Sequence, residues 1–457
     1  MSKVSLIDNG FLLTESPSSP KHVAGLQILR LPPRKGSAWL RSLLAQLKNE
    51  PPGYPFDQKL RYRIPLYPDL VEDSDIDMDY HVRHTVLPAP GDDAQLWKTV
   101  SRLHANLLDR QRPLWEFHLI EGLSDRRFAF YTKFHHALAD GVTINRWFSE
   151  SGSPSPDDRS APAIWHGQKP AARVKGREPT YTELINEGIR VFGGGLRTAL
   201  DMTTLGARLL QRRFIDGDFD ITFPLGAPRT RLNVIPGAAR SLTATVFPMD
   251  DVKRIAHSQE VTVNDVLLTI CDAAVTRYFA DKGDAPDEPL VAYMPVNLRT
   301  REDADAGNLV SLLQVRLASD REDLLNAMQE IRQASRTARE VFSGFGRPAI
   351  QLYALTVALL SLFEETLHLD RFMNPVNNLV ISNLPGPPKP LYFRGAECLR
   401  AIPISTLAPM TALNVTANSY AGLMNVGLVA GRTAVPDIDA LAAHLDGVFE
   451  ELKELTA

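Results

Sequence analysis

Cysteine is nearly absent from these 457 residues: Cys271 and Cys398 stand alone and far apart. Two isolated thiols support neither a disulfide framework nor a metal knuckle, and they fit a reducing compartment. Long apolar runs are equally scarce. The most apolar segment, AIQLYALTVALLSLF from Ala349 to Phe363, is interrupted by Gln351 and falls short of the ~20 residues that span a bilayer. The opening MSKVSLIDNGFLLTESPSSP has no basic start followed by an unbroken apolar core, so a cytoplasmic protein is expected rather than a secreted one. Nor is either charge sign in excess. Fifty Lys plus Arg face 54 Asp plus Glu, a formal net charge of −4, and no bulk field draws the chain to nucleic acid.

Several catalytic signatures are missing too. The chain has no GxSxG nucleophile elbow, no GxxxxGK[ST] phosphate loop, no GxGxxG fingerprint and no HExxH pair. Serine hydrolysis, nucleotide hydrolysis and dinucleotide redox chemistry therefore lack their usual residues.

What is present is mixed α and β grammar in a chain long enough for two domains and a buried pocket. Asp92 and Asp93 lead into Leu96, Val100, Leu103 and Leu107, which predicts a capped helix ending by Pro113. WEFHLI, a turn at Glu121–Asp125, and Phe128, Phe130, Thr132 and Phe134 in phase predict two strands. The second strand runs into FHHALADG, and period two puts His136 in phase with Phe134 while His135 points to the other side. Asp140 is a candidate cap for a short helix over VTINRWF.

After Glu150 a stretch rich in Ser, Pro and charge reads as a linker with little packed structure. Residues 181–214 then read as a basic amphipathic helix, interrupted at Gly193–Gly195. Either it packs on its own domain or it lies on a membrane or lipid-droplet surface. In the second half, Thr262–Ala280 predicts a helix, PLVAYM, NLVSLLQVRL, NNLVIS and TALNVTANSY predict strands, and Ile438 to Leu452 carries the stripe of a closing helix. The expected organisation is α+β: an N-terminal domain over 1–152, a linker and helical connection over 153–240, and a C-terminal domain over 241–457. The cleft between the halves would hold the site.

The histidine pair carries the chemistry. Neighbouring strand histidines point apart and cannot readily chelate one ion, so no metal is expected. Proton transfer by histidine without an enzyme nucleophile is what remains. At this point FHHALADG resembles the active-site motif HHxxxDG of the coenzyme A-dependent acyltransferase superfamily. FLLTESPSSPKHVAGL, RPLWEFHLIEGL, VNDVLL, PVNLR with Gly307-Asn308, ISNLPGP and LNVTANSYAGLMNVGL narrow the resemblance to the bacterial wax ester synthase/diacylglycerol acyltransferase family. One departure is Gly431 in LVAGR, where the family leads one to expect an acidic residue.

The resemblance implies two chloramphenicol acetyltransferase-like domains around a central channel. It also implies transfer of a long-chain acyl group from acyl-CoA, as co-substrate, to a fatty alcohol or diacylglycerol, with no permanently bound cofactor. A peripheral position at the inner membrane or lipid inclusions accompanies it. Carried onto this chain, His136 is the general base and no acyl-enzyme forms. His135 supports it, Asp140 is the structural carboxylate, and Gly141 permits a tight turn or a close backbone approach. Asn264 and Asp265 sit in the first turn of a predicted helix. Asn264 reads either as part of a cap or as a group across the cleft from His136 that orients substrate or stabilises an oxyanion. The Ala349–Phe363 segment reads as plain core or as an acyl tunnel wall. Two rival readings keep the fold: a carrier-protein-dependent condensation enzyme and a catalytically silent lipid-binding protein.

Overall fold

The computed structural model describes residues 2–4, 6–64, 67–167, 195–218, 220–297, 310–319, 323–342, 345, 347–368 and 372–457. Its strands, in chain order, are β1 Ser2–Lys3, β2 His22–Arg30, β3 Gln58–Ile64, β4 Tyr67–Glu72, β5 Val82–Val86, β6 Trp115–Leu123, β7 Arg127–His135, β8 Arg240–Pro248, β9 Val291–Asn297, β10 Val310–Arg316, β11 Leu379–Leu384, β12 Tyr392–Phe393, β13 Ala396–Ile404, β14 Leu413–Tyr420 and β15 Leu423–Gly431. Two six-stranded sheets dominate, in the orders β12-β13-β2-β7-β6-β5 and β10-β9-β11-β14-β15-β8, beside a small sheet β1-β4-β3. Pairing in the first is antiparallel except β5–β6; in the second, β9–β11 and β11–β14 are parallel.

The alternation expected in β7 is there, and both faces are covered. Phe128, Phe130 and Phe134 enter a core with Trp115, Phe117 and Trp147, while Ala129 and Tyr131 join Leu26, Leu96 and Val100 on the opposite side. Near its end this second face turns polar, with Lys133 and then His135, both fully buried. Lys133 donates to Leu103 O at 3.2 Å and Asn106 O at 2.9 Å, groups at the end of the helix Asp93–Ala105. That helix stops eight residues before Pro113 because a lysine satisfies its terminal carbonyls there, and Leu107 is left exposed.

The second sheet is backed by the helices Val263–Asp281, Leu324–Phe342 and Ile438–Leu455, whose apolar residues form the largest core. The strands predicted in the second half are β9, β10, β11 and β14, and the closing helix carries Leu441, Leu445, Val448 and Leu452 inward.

Two features of the predicted organisation need correction. Residues 153–167 are not a loose linker: Ala161, Ala163 and Trp165 are buried, Trp165 stacks on Trp115 with ring centroids 5.4 Å apart, and its indole N–H donates to Glu50 O at 3.1 Å. A single large aromatic outweighs the polar composition around it. Nor does 241–457 build only the second sheet. β13 crosses over and pairs with β2, with β12 on its outer side, which covers an edge that would otherwise be open. Asn418 of β14 donates to Ala401 O at 3.1 Å, and Arg400 of β13 bonds Asn425 Oδ1 at 3.1 Å and Thr245 O at 3.2 Å. A Cβ at Gly427 of β15 would overlap the Pro403 carbonyl, so only glycine lets the sheets approach this closely.

Within 195–218, the helix Gly195–Leu210 buries Leu205 and Leu209 against Tyr353 and Val357, the self-packed alternative for that stretch. Its predicted beginning, 181–194, lies outside the described residues. So do Leu298 and Arg299 of the PVNLR segment and the Gly307-Asn308 pair.

Candidate active site

Where the two sheets converge, a cavity of about 410 Å³ opens between β2 and β13 of one sheet and β9, β11 and β14 of the other. Its walls are mostly apolar: Val23, Leu26 and Phe134 on the first half, Val380 and Leu384 on the second, and Ile402 and Leu407 from the crossing segment. The helix Arg347–Thr366 closes one side with Ala354, Leu355, Ala358, Leu359, Ser361 and Leu362. The Ala349–Phe363 segment is therefore a cavity wall as well as core.

His136 faces this cavity as the first residue after β7, so the alternation continues one step beyond the strand. Its backbone N–H donates to Lys21 O at 2.8 Å, and its ring stacks on Phe11 at 4.1 Å and 15°. Main chain and ring are thus both fixed. Burial is the largest influence on its imidazole and lowers its pKa to about 4, against partial support from Asp140, whose charge raises it. At neutral pH the ring is an uncharged proton acceptor.

His135 points the other way. Its Nδ1 accepts from Ala137 N–H at 3.0 Å, which leaves Nε2 as the protonated nitrogen, 3.4 Å from a Glu15 oxygen. Glu15 also receives Arg110 at 3.0 and 3.1 Å and the backbone N–H of Lys21 at 3.1 Å. Burial alone would raise the Glu15 pKa, but His135, Lys21 N–H and Arg110 hold it down at about 2. This carboxylate ties the start of β2 to the end of β7, and so fixes the backbone from which His136 hangs.

Asp140 is buried and caps the helix Gly141–Glu150, accepting from Thr143 N–H at 2.9 Å. Gly141 opens that helix with no left-handed backbone, so the turn reading is replaced by close approach: a Cβ would sit 2.9 Å from Leu384 Cδ1, across the interface between the halves. Asn145, one turn further on, donates to Pro385 O at 2.8 Å and Asn418 Oδ1 at 2.9 Å, and joins the halves at the cavity wall.

Asn264 does not take the position expected of it. It lies in the first turn of Val263–Asp281 and its Oδ1 accepts from Asn383 at 2.8 Å, outside the set of residues that line the cavity. Asp265 forms a capping box with Thr262. The cap uses the Asp265 side chain, and Asn383 of β11, 119 residues on, holds that of Asn264, so Asn264 is not assigned an oxyanion role. Gly431 has a steric reading, since a side chain there would crowd Pro236 O at 2.9 Å. Among the described residues no group of three or more His, Cys, Asp or Glu could hold a metal ion.

Phe11, Glu15, Lys21, Arg110 and Asn145 all escaped the sequence reading. Glu15 and Lys21 sit in the FLLTESPSSPKHVAGL stretch, where a charged pair around the opening of an apolar strand was the available signal. Asn145 carried none, because its partners are 240 and 273 residues away.

Residues 4–267 match the wax ester synthase/diacylglycerol acyltransferase catalytic domain, and residues 306–453 match the WS/DGAT C-terminal domain. The chain belongs to this family. It is 36% identical over 454 residues to a probable diacylglycerol O-acyltransferase of Mycobacterium tuberculosis, covering 98% of each. It is 33% identical over 449 residues to the O-acyltransferase WSD of Acinetobacter baylyi, covering 96% of this chain and 94% of that one. The WS/DGAT structure from Marinobacter aquaeolei VT8 aligns over 100% of both chains with a TM-score of 0.77 and 30% identity. The first condensation domain of the CDA synthetase shares the fold, at a TM-score of 0.59 and 17% identity over 99% and 95% of the chains. The two-domain α+β expectation holds, and this family member is an O-acyltransferase.

Proposed function

We propose that the protein moves a long-chain acyl group from acyl-CoA directly to the hydroxyl of a fatty alcohol or diacylglycerol, with His136 as general base. The observation that carries this reading is a neutral imidazole, held by Phe11 and Lys21 O, on the wall of an apolar cavity between the two sheets. Nδ1 is shielded, so Nε2 is the nitrogen that meets the alcohol. As the alcohol oxygen attacks the thioester carbonyl carbon, its proton passes to Nε2, the new C–O bond forms and the C–S bond breaks. The departing thiolate then takes that proton and leaves as coenzyme A. Such base catalysis is worth roughly 10²- to 10⁴-fold. The remainder of the rate comes from holding two lipid chains together where water is scarce.

Lipid substrates reach such a cavity from a lipid surface. The helix that walls the cavity leaves Leu359 and Phe363 exposed, Leu367 just after it is exposed as well, and Phe214, Ile215 and Phe372 are exposed at 73%, 79% and 81%. Such exposed large apolar side chains support a peripheral lipid-docking role. No described helix is long and apolar enough to cross a membrane.

The test is coenzyme A release from palmitoyl-CoA by the purified chain, with and without hexadecanol or dipalmitoylglycerol, and with the lipid product identified. Acceptor-dependent thiol release with matching ester is expected. Thiol release without acceptor, together with an acylated protein by intact mass, would refute direct transfer. Lipid binding with no ester from any acceptor would leave the silent lipid-binding reading.

A further inference from the structure

Lys21 is out of place in a cavity built for hydrocarbon. It is 3% exposed, it lines the cavity, and it is the one Lys or Arg among the described residues that do so. Lysine is rarely buried without a partner. Its ammonium has three donors, and Ser19 Oγ at 2.7 Å takes one. The two carboxylates whose charge it feels are engaged elsewhere: Glu15 with Arg110, His135 and the Lys21 backbone, and Glu365 with Met410 N–H at 3.1 Å. Among the described residues Ser19 Oγ is the one acceptor bonded to this ammonium, so donors are left for an oxygen of a ligand. The carbonyl of the same residue receives His136 N–H, and the ammonium charge reaches the imidazole. Lys21 and His136 thus address one ligand at two points.

The candidate acceptors differ at that second point. A fatty alcohol has a single oxygen, which must lie at His136. A 1,2-diacylglycerol carries two ester groups, one on the carbon next to that bearing its free hydroxyl and one on the carbon beyond, each with a carbonyl oxygen. We propose that Lys21 determines acceptor specificity, its ammonium hydrogen-bonding an ester carbonyl of diacylglycerol while the free hydroxyl lies at His136. This rests on the acyl-transfer reading above. A charge-assisted hydrogen bond in an apolar wall discriminates strongly against a ligand that lacks the acceptor atom.

The experiment compares initial rates on dipalmitoylglycerol and hexadecanol, with palmitoyl-CoA as donor, for the wild type and Lys21→Met, which keeps an unbranched chain without the charge. The diacylglycerol-to-alcohol rate ratio is expected to fall roughly tenfold or more in the variant. An unchanged ratio, including equal losses on both acceptors, overturns the assignment, since equal losses point to the thioester or to the fold. A wild type that makes no ester from either acceptor fails the acyl-transfer reading itself.

Should the variant not fold, the wild-type ratio is followed with pH. Burial lowers the Lys21 pKa to about 8, so the ratio is expected to fall as pH rises through that value. The groups around Lys21 are Glu15 with Arg110 behind it, His135, His136, Arg240 and Glu365. Of these, Glu15, His136 and Arg240 titrate near 2, 4 and 10, away from that window. A ratio flat from pH 7 to 9 overturns the assignment.

Discussion

At the scale of the residue, the two adjacent histidines differ because the strand turns them to opposite sides, and each side supplies a different environment. His135 meets a carboxylate that is itself pinned by Arg110; His136 meets an aromatic ring and a cavity. Burial opposes the charged form of His136 more than Asp140 supports it, so the base is already neutral across the physiological range. The pH profile follows in sign: a base must be unprotonated, so activity is lost only as pH falls through the lowered pKa of about 4. Initial rates between pH 5 and 8 are expected to show no inflection near 6.5, the ordinary histidine value. A half-maximal point at 6.5 would mean that the imidazole is solvated. The sequence made the opposition of the two side chains legible through period two, but not the partner of either, because Glu15 and Phe11 lie more than a hundred residues upstream.

At the scale of the element, the helix Gly141–Glu150 joins the halves beside the crossing strand β13, and Asp140 starts it. Its carboxylate holds the Thr143 N–H, Gly141 admits Leu384, and Asn145 reaches Pro385 and Asn418. Replacing Asp140 by Ala is expected to cost about 1 kcal/mol through the lost cap, and Asp140→Asn less, because asparagine caps nearly as well. Urea unfolding of both variants measures this; equal losses would show that the charge, and not the cap, is what Asp140 contributes. The cap was readable from an aspartate before a short amphipathic stretch. Asp265 was readable in the same way, as a cap with Thr262, but the Asn383 partner of Asn264 was not, because it lies 119 residues away. The crossing of β13 into the first sheet was not readable, since its residues alternate as they would in either sheet and only the open edge of β2 decides. Trp165 misled in the opposite direction, because one buried indole was hidden in linker-like composition.

At the scale of the whole molecule, the cavity exists because neither half is complete alone: one sheet borrows β12 and β13, and the other supplies the helix that closes the wall. The exposed apolar side chains of Phe214 and Ile215 are expected to help bring this opening to lipid. Phe214→Asp with Ile215→Asp should weaken flotation with phosphatidylglycerol-containing vesicles while leaving the unfolding midpoint within about 0.5 kcal/mol in stability, as for other exposed positions. Undiminished flotation would move the docking face elsewhere. The central claim is that His136 takes the proton of the alcohol. Its most direct test is the rate of ester formation by His136→Ala from palmitoyl-CoA and hexadecanol, beside circular dichroism of the same preparation. A folded protein slowed by about 10²- to 10⁴-fold is the result expected of a lost general base; a folded variant that retains near-full activity would contradict the assignment.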